Sequence, residues 1–461
     1  MSVAYSDFLE RKAQLSNAGG FEPIDLPAHL FDFQTNIVEW AVRQGRAAMF
    51  ADCGMGKTPM SLAWAEQVNR HTGRPVLLLT PLAVGFQIVA EAHKFGHDAA
   101  GSRTGKSTAP ITVTNYEQLD KFDPADFAGI VCDESSILKS FNGATKAAVT
   151  EFARRLPYRL LGTATAAPND WIELGTSSEA LGGLGYMDML SRFFTNKARS
   201  ATSRGPRRFV NGASGDDAYR LKGHAEEPFW QWVSTWARAI RKPSDFGFDD
   251  EGFHLPELTV REHLVHANRP ADGALFDVPA FGLREEREES RRTLVERCEA
   301  AAQALSGATS GVSWCHLNDE SALLARLIPG AVEIAGSDSS DEKEEKLRGF
   351  SEGHIPFIVT KPKIGAWGLN WQHSHRMTYF PSHSYEQWYQ AVRRMWRFGQ
   401  KSEVIVDVIT TEGGSNVLAN LQRKADQADA MFTALVEHMN HARDIDRATY
   451  ESPVEVPAWL A

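Results

Sequence analysis

The chain has 461 residues, 43% of them hydrophobic and 23% charged, and a net charge of −10. That is the balance of an ordinary globular protein with room for two or three cores, and its acidic sum argues against indiscriminate nucleic-acid binding without excluding a local basic face. Asp7 and Glu10 stand where a signal peptide needs a basic start and an apolar core, and no later apolar run approaches spanning length. A cytoplasmic protein with no membrane contact is expected.

In chain order, residues 1–29 read as a helical lead-in. From Leu30 to about Leu181 the short apolar runs "AAMF", "VLLLT", "ITVTN", "GIVCD" and "RLLGT" alternate with helix-like stretches. This alternation predicts a parallel sheet with helices on both faces over 30–181. Residues 182–256 are rich in Gly, Arg, Trp and Phe without a sustained period and read as an insertion. "EEREESRRTLVERCEAAAQAL", Glu285 to Leu305, reads as one amphipathic helix. A second alternation over 257–430 runs through "GVSWC", "AVEIA", "PFIVT", "RMTYF" and "EVIVDVI", with a helix from Tyr385 to Trp396; 431–461 reads as a C-terminal helix and tail.

Two stretches end in Gly-Lys and a hydroxyl residue, "ADCGMGKT" (Ala51 to Thr58) and "AGSRTGKS" (Ala100 to Ser107). Spacing does not separate them; context does. A phosphate-binding loop needs a buried strand that delivers it and a helix that leaves it, so that backbone N–H groups and the helix N-terminus converge on the anion. The first has "AAMF" before it and "MSLAWAEQV" after it, and Pro59 is tolerable in a first helical turn. The second runs into Pro110 and the β-rich "ITVTNY", and reads as a basic surface loop carrying Arg103 and Lys106.

In the first loop Lys57 would hold the β- and γ-phosphates of ATP and Thr58 would ligate Mg²⁺, while Gly54 and Gly56 let the backbone approach. Downstream, "IVCDESS" ends an apolar strand in Asp133-Glu134, one carboxylate for Mg²⁺ and a neighbour to polarise water. In "QAVRRMWRFGQ", Arg394 and Arg397 lie three apart and would share a helix face among Trp388, Trp396 and Phe398; a γ-phosphate across the inter-lobe cleft would be their anionic partner. Between Arg192 and Lys222 eight basic residues, Arg204, Arg207 and Arg208 among them, face only Asp216 and Asp217. That segment reads as a phosphate-tracking loop, with a basic linker as the rival. The four cysteines form no Cys-x-x-Cys pair, and His373, His375 and His383 lack a fourth ligand, so no metal site of that kind is expected.

The ordered set resembles superfamily 2 helicases, and within them the double-strand DNA translocases of the sucrose-non-fermenting remodeller branch, with a compact phage or bacterial motor as the expected setting. "LFDFQTNIVEW" resembles the opening glutamine segment, "ADCGMGKT" motif I, "LLLTPLAV" Ia, "TVTNYEQL" Ib, "VCDESS" II, "LGTATAAPND" III, "KPKIGAWGLN" V and "QAVRRMWRFGQ" VI. The resemblance implies an α/β fold of two RecA-like doubly wound lobes with an inter-lobe insertion. It also implies that Gln34 reads adenine, that Met55 and Gly368 join the ATP site, and that Pro81, Tyr116, Lys361 and Lys363 meet nucleic acid. Ser135-Ser136, Ala166 and Lys361-Pro362-Lys363 depart from the usual residues of motifs II, III and V. The activity implied is an ATP-driven motor on duplex DNA. Two alternatives are a strand-separating helicase, for which no clear hairpin wedge is evident in the sequence, and an ATP-switched clamp recruiting a nuclease or a replication or recombination partner.

Overall fold

The structure, a computed structural model, describes residues 19–82, 84–140, 143–167, 170–196, 219–266, 283–365, 370–411 and 415–444. Residues 19–29 are without helix, so the described part of the expected helical lead-in is irregular chain entering a turn at 28–29, with Phe21 stacked on His71 of the first lobe at 3.9 Å.

The apolar runs of the first half become β1 (Arg46–Ala51), β2 (Val76–Thr80), β4 (Ile111–Asn115), β5 (Gly129–Asp133) and β6 (Tyr158–Thr163). All five are buried almost throughout, as parallel strands covered on both faces must be. Two strands lacked such a run: β3 (Ala99–Gly101) at one edge and β9 (Ala237–Ile240) at the other. The sheet order is β3-β4-β2-β5-β6-β1-β9, parallel in every described pairing. β9 comes from the stretch read as an insertion, so that stretch returns to the first lobe and completes its sheet. Its helix Glu226–Ser234 buries Phe229, Trp230 and Val233 in the same core.

The second lobe is a six-stranded sheet, β10-β15-β14-β11-β13-β12, built from Leu258–Val265, Gly311–Trp314, Ala331–Ile334, Phe357–Thr360, Arg376–Tyr379 and Val404–Thr411 in chain order. Its pairings are again parallel. Helices connect the strands in both lobes, so the chain has two RecA-like doubly wound α/β lobes. The single helix expected over 285–305 is two, Leu283–Arg292 and Leu294–Ala304, broken at Thr293, whose hydroxyl bonds back to the Glu289 carbonyl at 2.8 Å.

Two further features depart from expectation. β7 (Phe194–Asn196) and β8 (Tyr219–Leu221) pair antiparallel, so the basic segment connects the strands of a ribbon where the sequence had offered no clear hairpin. Arg204, Arg207 and Arg208 themselves lie outside the described residues. The final helix runs unbroken from Ser415 to Asp444, across the boundary expected at 430. It leaves the second lobe and buries Met431, Phe432, Leu435 and Met439 in the first-lobe core. No helix among the described residues is long and apolar enough to cross a membrane.

Candidate active site

β1, β6 and β5 stand side by side, with Phe50 opposite Thr163 and Asp133 opposite Gly162. Their C-terminal ends therefore bring together the loop 51–58, the segment "GTAT" and the Asp133-Glu134 pair, where ligands bind in open parallel sheets.

The loop leaves β1 and feeds the helix Lys57–Thr72. Gly54 (φ 91°) and Gly56 (φ 79°) adopt the left-handed backbone that an L side chain resists. A Cβ on Gly56 would lie 2.2 Å from Gln34 Nε2, and one on Gly54 would lie 2.9 Å from the Phe398 ring of the other lobe. Lys57 Nζ donates to the Ala51 carbonyl at 2.9 Å, lying back along its own loop. Gln34 Nε2 donates to the Met55 carbonyl at 3.0 Å while its Oε1 accepts from Phe31 N at 3.0 Å. Gln34 thus has an anchored position beside the loop. Met55 offers its backbone alone, since its side chain is buried in the core.

Across the sheet, Asp133 Oδ2 accepts from the Thr80 hydroxyl at 3.3 Å. Burial, with the charge of Glu134 adding, raises the Asp133 carboxyl to about 7 against the pull of Lys57. Glu134 is the one non-glycine residue with positive φ among the described residues (φ 52°, ψ 52°), a conformation that costs about 1–2 kcal/mol. Its Oε2 is buried without a hydrogen-bond partner. A buried, mutually repelling carboxylate pair with an orphaned oxygen, beside a lysine and a glycine-shaped loop, fits the donor set for Mg²⁺ and a polyphosphate: Lys57 and the loop backbone for phosphate, Thr58 and Asp133 for the cation.

The second lobe reaches this site through the helix Tyr385–Val392 and the turn that follows. The helix ends at Val392, so Arg394 and Arg397 do not share a helical face. Arg394 turns inward: its Nε and Nη2 donate to Gln390 O (2.9 Å) and Oε1 (2.7 Å), and it is 2% exposed. Arg397 faces the first lobe. It donates to Asn370 Oδ1, its Nε is buried without a hydrogen-bond partner, and burial together with Arg394 lowers its pKa to about 10. Cys53 and Glu91 of the first lobe act on it in the opposite sense. Sequence reasoning passed over Arg393, whose Nη2 meets Asp52 Oδ2 at 2.7 Å from the other lobe. An acidic residue five positions before Lys57 was the available signal, because such a carboxylate needs a cation.

Of the residues expected on nucleic acid, Pro81, Tyr116 and Lys363 line one inter-lobe cavity of about 320 Å³ with Glu134, Leu347 and Ile364. Tyr116 is buried and spends its hydroxyl on the Asp133 carbonyl at 2.7 Å, leaving only its ring to the cavity. Lys361 is turned to Asn318. Gly368 lies outside the described residues. In the second glycine-lysine stretch, β4 follows where a helix would be needed; Lys106 is exposed, and Arg103 lines the cavity, 3.7 Å from Asp341 of the second lobe. All four cysteines are free and buried, and burial raises Cys132, Cys298 and Cys315 to about 12, outside the range of reactive thiols. His383 Nδ1 lies 2.9 Å from Asn420 Nδ2, an ordinary polar contact.

No family model matches the sequence, and no curated protein matches it. Among solved structures the chain is similar to the Sulfolobus solfataricus SWI2/SNF2 ATPase core in complex with dsDNA, with 17% identity and a TM-score of 0.42 over 91% of this chain and 96% of that one.

Proposed function

We propose that this chain hydrolyses ATP to move along duplex DNA. The observation that carries the reading is the meeting of a glycine-shaped phosphate loop and an orphaned Glu134 oxygen on one lobe with the Arg397 turn of the other. Lys57 and the N-terminus of its helix would grip the phosphates, Thr58 and Asp133 would hold Mg²⁺, and Gln34 would read the base. Bound Mg²⁺ would offset the charge that develops on the transferred phosphoryl group. Glu134 would take a proton from the attacking water. Arg397, and Arg394 if it turns outward on closure, would stabilise the charge from the second lobe; such an arginine is typically worth ~10³ to 10⁵ in rate. Pro81, Tyr116 and Lys363 line the same cavity as Glu134, which supports a short route from hydrolysis to a nucleic-acid contact.

The test is the ATPase rate at fixed, stated salt with no nucleic acid, single-stranded DNA, duplex DNA and RNA. Duplex DNA is expected to stimulate most, and equal or greater stimulation by RNA overturns the reading. The β7-β8 ribbon favours a second reading, strand separation with the ribbon as wedge. Displacement of a labelled strand from a forked duplex, dependent on ATP, would establish it over translocation alone.

A further inference from the structure

Asp52 follows β1 and opens the phosphate loop, and only 7% of it is exposed. Its backbone N–H donates to the Ile240 carbonyl of β9 at 2.9 Å, and its Oδ1 accepts from Cys53 N at 2.6 Å. Its carboxylate also accepts two hydrogen bonds from the second lobe, Oδ1 from the Tyr389 hydroxyl and Oδ2 from Arg393 Nη2 at 2.7 Å. Arg393 is equally buried and its guanidinium lies 4.3 Å from the Trp396 ring. One short helix and the residue after it make both contacts and a third, since Glu386 pairs with Lys139, just beyond Asp133-Glu134. That helix therefore touches the first lobe at the phosphate loop and at the carboxylate segment.

The charges make this more than a packing contact. A carboxylate within a phosphate loop repels the anion that the loop is shaped for, unless a cation neutralises it. Here the cation belongs to the other lobe. We propose that Asp52 and Arg393 form an inter-lobe latch, Asp52 being a positioning residue that makes the phosphate site electrostatically competent only when the second lobe is docked and Arg397 is in place. Arg393 Nη1 has no hydrogen-bond partner among the described residues, and Asp52 and Arg393 line a cavity of about 110 Å³ together with Thr165 of the segment after β6, so the latch and the "GTAT" loop face a common space. The inference rests on the ATP-hydrolysis reading above and names what registers the lobes for it.

The experiment uses the full chain. Arg393→Ala leaves Asp52 without its cation and should raise the KM for ATP about tenfold and lower kcat about a hundredfold, the scale of an ångström-sized misplacement at a reacting centre. Asp52→Asn should lower kcat similarly with no rise in KM. The double variant Asp52→Asn with Arg393→Ala should recover the parent KM and keep a kcat no lower than either single variant. Additive losses in kcat, or a KM that stays high in the double variant, overturn the latch. Tyr389→Phe removes one hydrogen bond to Asp52 with minimal risk to folding and should lower kcat severalfold at constant KM; no change in kcat counts against the proposal. A second arm does not depend on turnover: spin labels on Asp126→Cys and Arg326→Cys, exposed on opposite lobes, should give one dominant distance that broadens on adding Asp52→Asn. An unchanged distribution overturns the latch even if ATP is hydrolysed. A parent protein that hydrolyses no ATP under any condition, yet shows this broadening, overturns the ATP reading and leaves the latch standing.

Discussion

Tyr116 donates its hydroxyl hydrogen to the backbone carbonyl of Asp133 at 2.7 Å, with both residues buried. Tyr116 follows β4 and lines the inter-lobe cavity, while Asp133 ends β5 and belongs to the carboxylate pair. The bond ties the cavity wall to the peptide unit that precedes Glu134, the residue held at positive φ. Tyr116→Phe should cost about 1 kcal/mol of stability, because a buried carbonyl loses its donor. It should also lower nucleic-acid stimulation of ATP hydrolysis more than the basal rate. Denaturant unfolding and the ratio of stimulated to basal rates check both parts, and an unchanged ratio would mean that the bond is structural only.

Glu134→Gln keeps the shape of the side chain but cannot accept a proton, so turnover should be abolished while ATP and DNA binding persist. Lys57→Ala should weaken nucleotide binding itself. Equilibrium binding of a fluorescent ATP analogue, measured beside the hydrolysis rate, separates the two effects. Hydrolysis by Glu134→Gln at close to the parent rate would remove Asp133-Glu134 from the chemistry.

Lys106→Ala should leave ATP binding and hydrolysis close to the parent values, since Lys106 is exposed in a stretch that leads into a strand. Arg103→Ala should differ from it: Arg103 lines the inter-lobe cavity, so its removal should weaken nucleic-acid binding without weakening ATP binding. A collapse of ATP binding in Lys106→Ala would reverse the assignment of the phosphate loop.

The first loop was legible because its signals are local: an apolar strand, two glycines and a helix within a short stretch. Asp133-Glu134 was legible for the same reason. β9 was not, since "ARAI" gains its meaning only from a neighbour, β1, far back in the chain. β10 was missed because it is an edge strand whose alternation is blurred by Arg261, Glu262 and His263. A shared face for Arg394 and Arg397 required the helix to continue through both. It stops at Val392, and the turn that follows closes at Gly399 with φ 93°. Arg393 thereby takes the position facing Asp52, which a helical wheel could not foretell.

Lys222, just past β8, donates to the carbonyls of Ser191 and Arg192 at 2.9 Å each, so the base of the β7-β8 ribbon is tied to the end of the helix Tyr186–Phe193. Any phosphate grip made by the connection between the two strands would therefore start from a base held on the first lobe. If Arg204, Arg207 and Arg208 grip DNA, replacing all three with alanine should weaken binding to every sequence alike. The salt dependence should flatten too, by up to about one unit of slope for each phosphate no longer neutralised. Basal ATP hydrolysis should survive, because none of the three belongs to the nucleotide segments. On a forked duplex the same variant should lose strand displacement in proportion to binding if the arginines only anchor the protein. Loss of displacement at saturating DNA would instead give the ribbon a part in parting the strands. Binding with the parent affinity and the same salt slope would move the DNA contacts to Pro81, Lys363 and the cavity between the lobes.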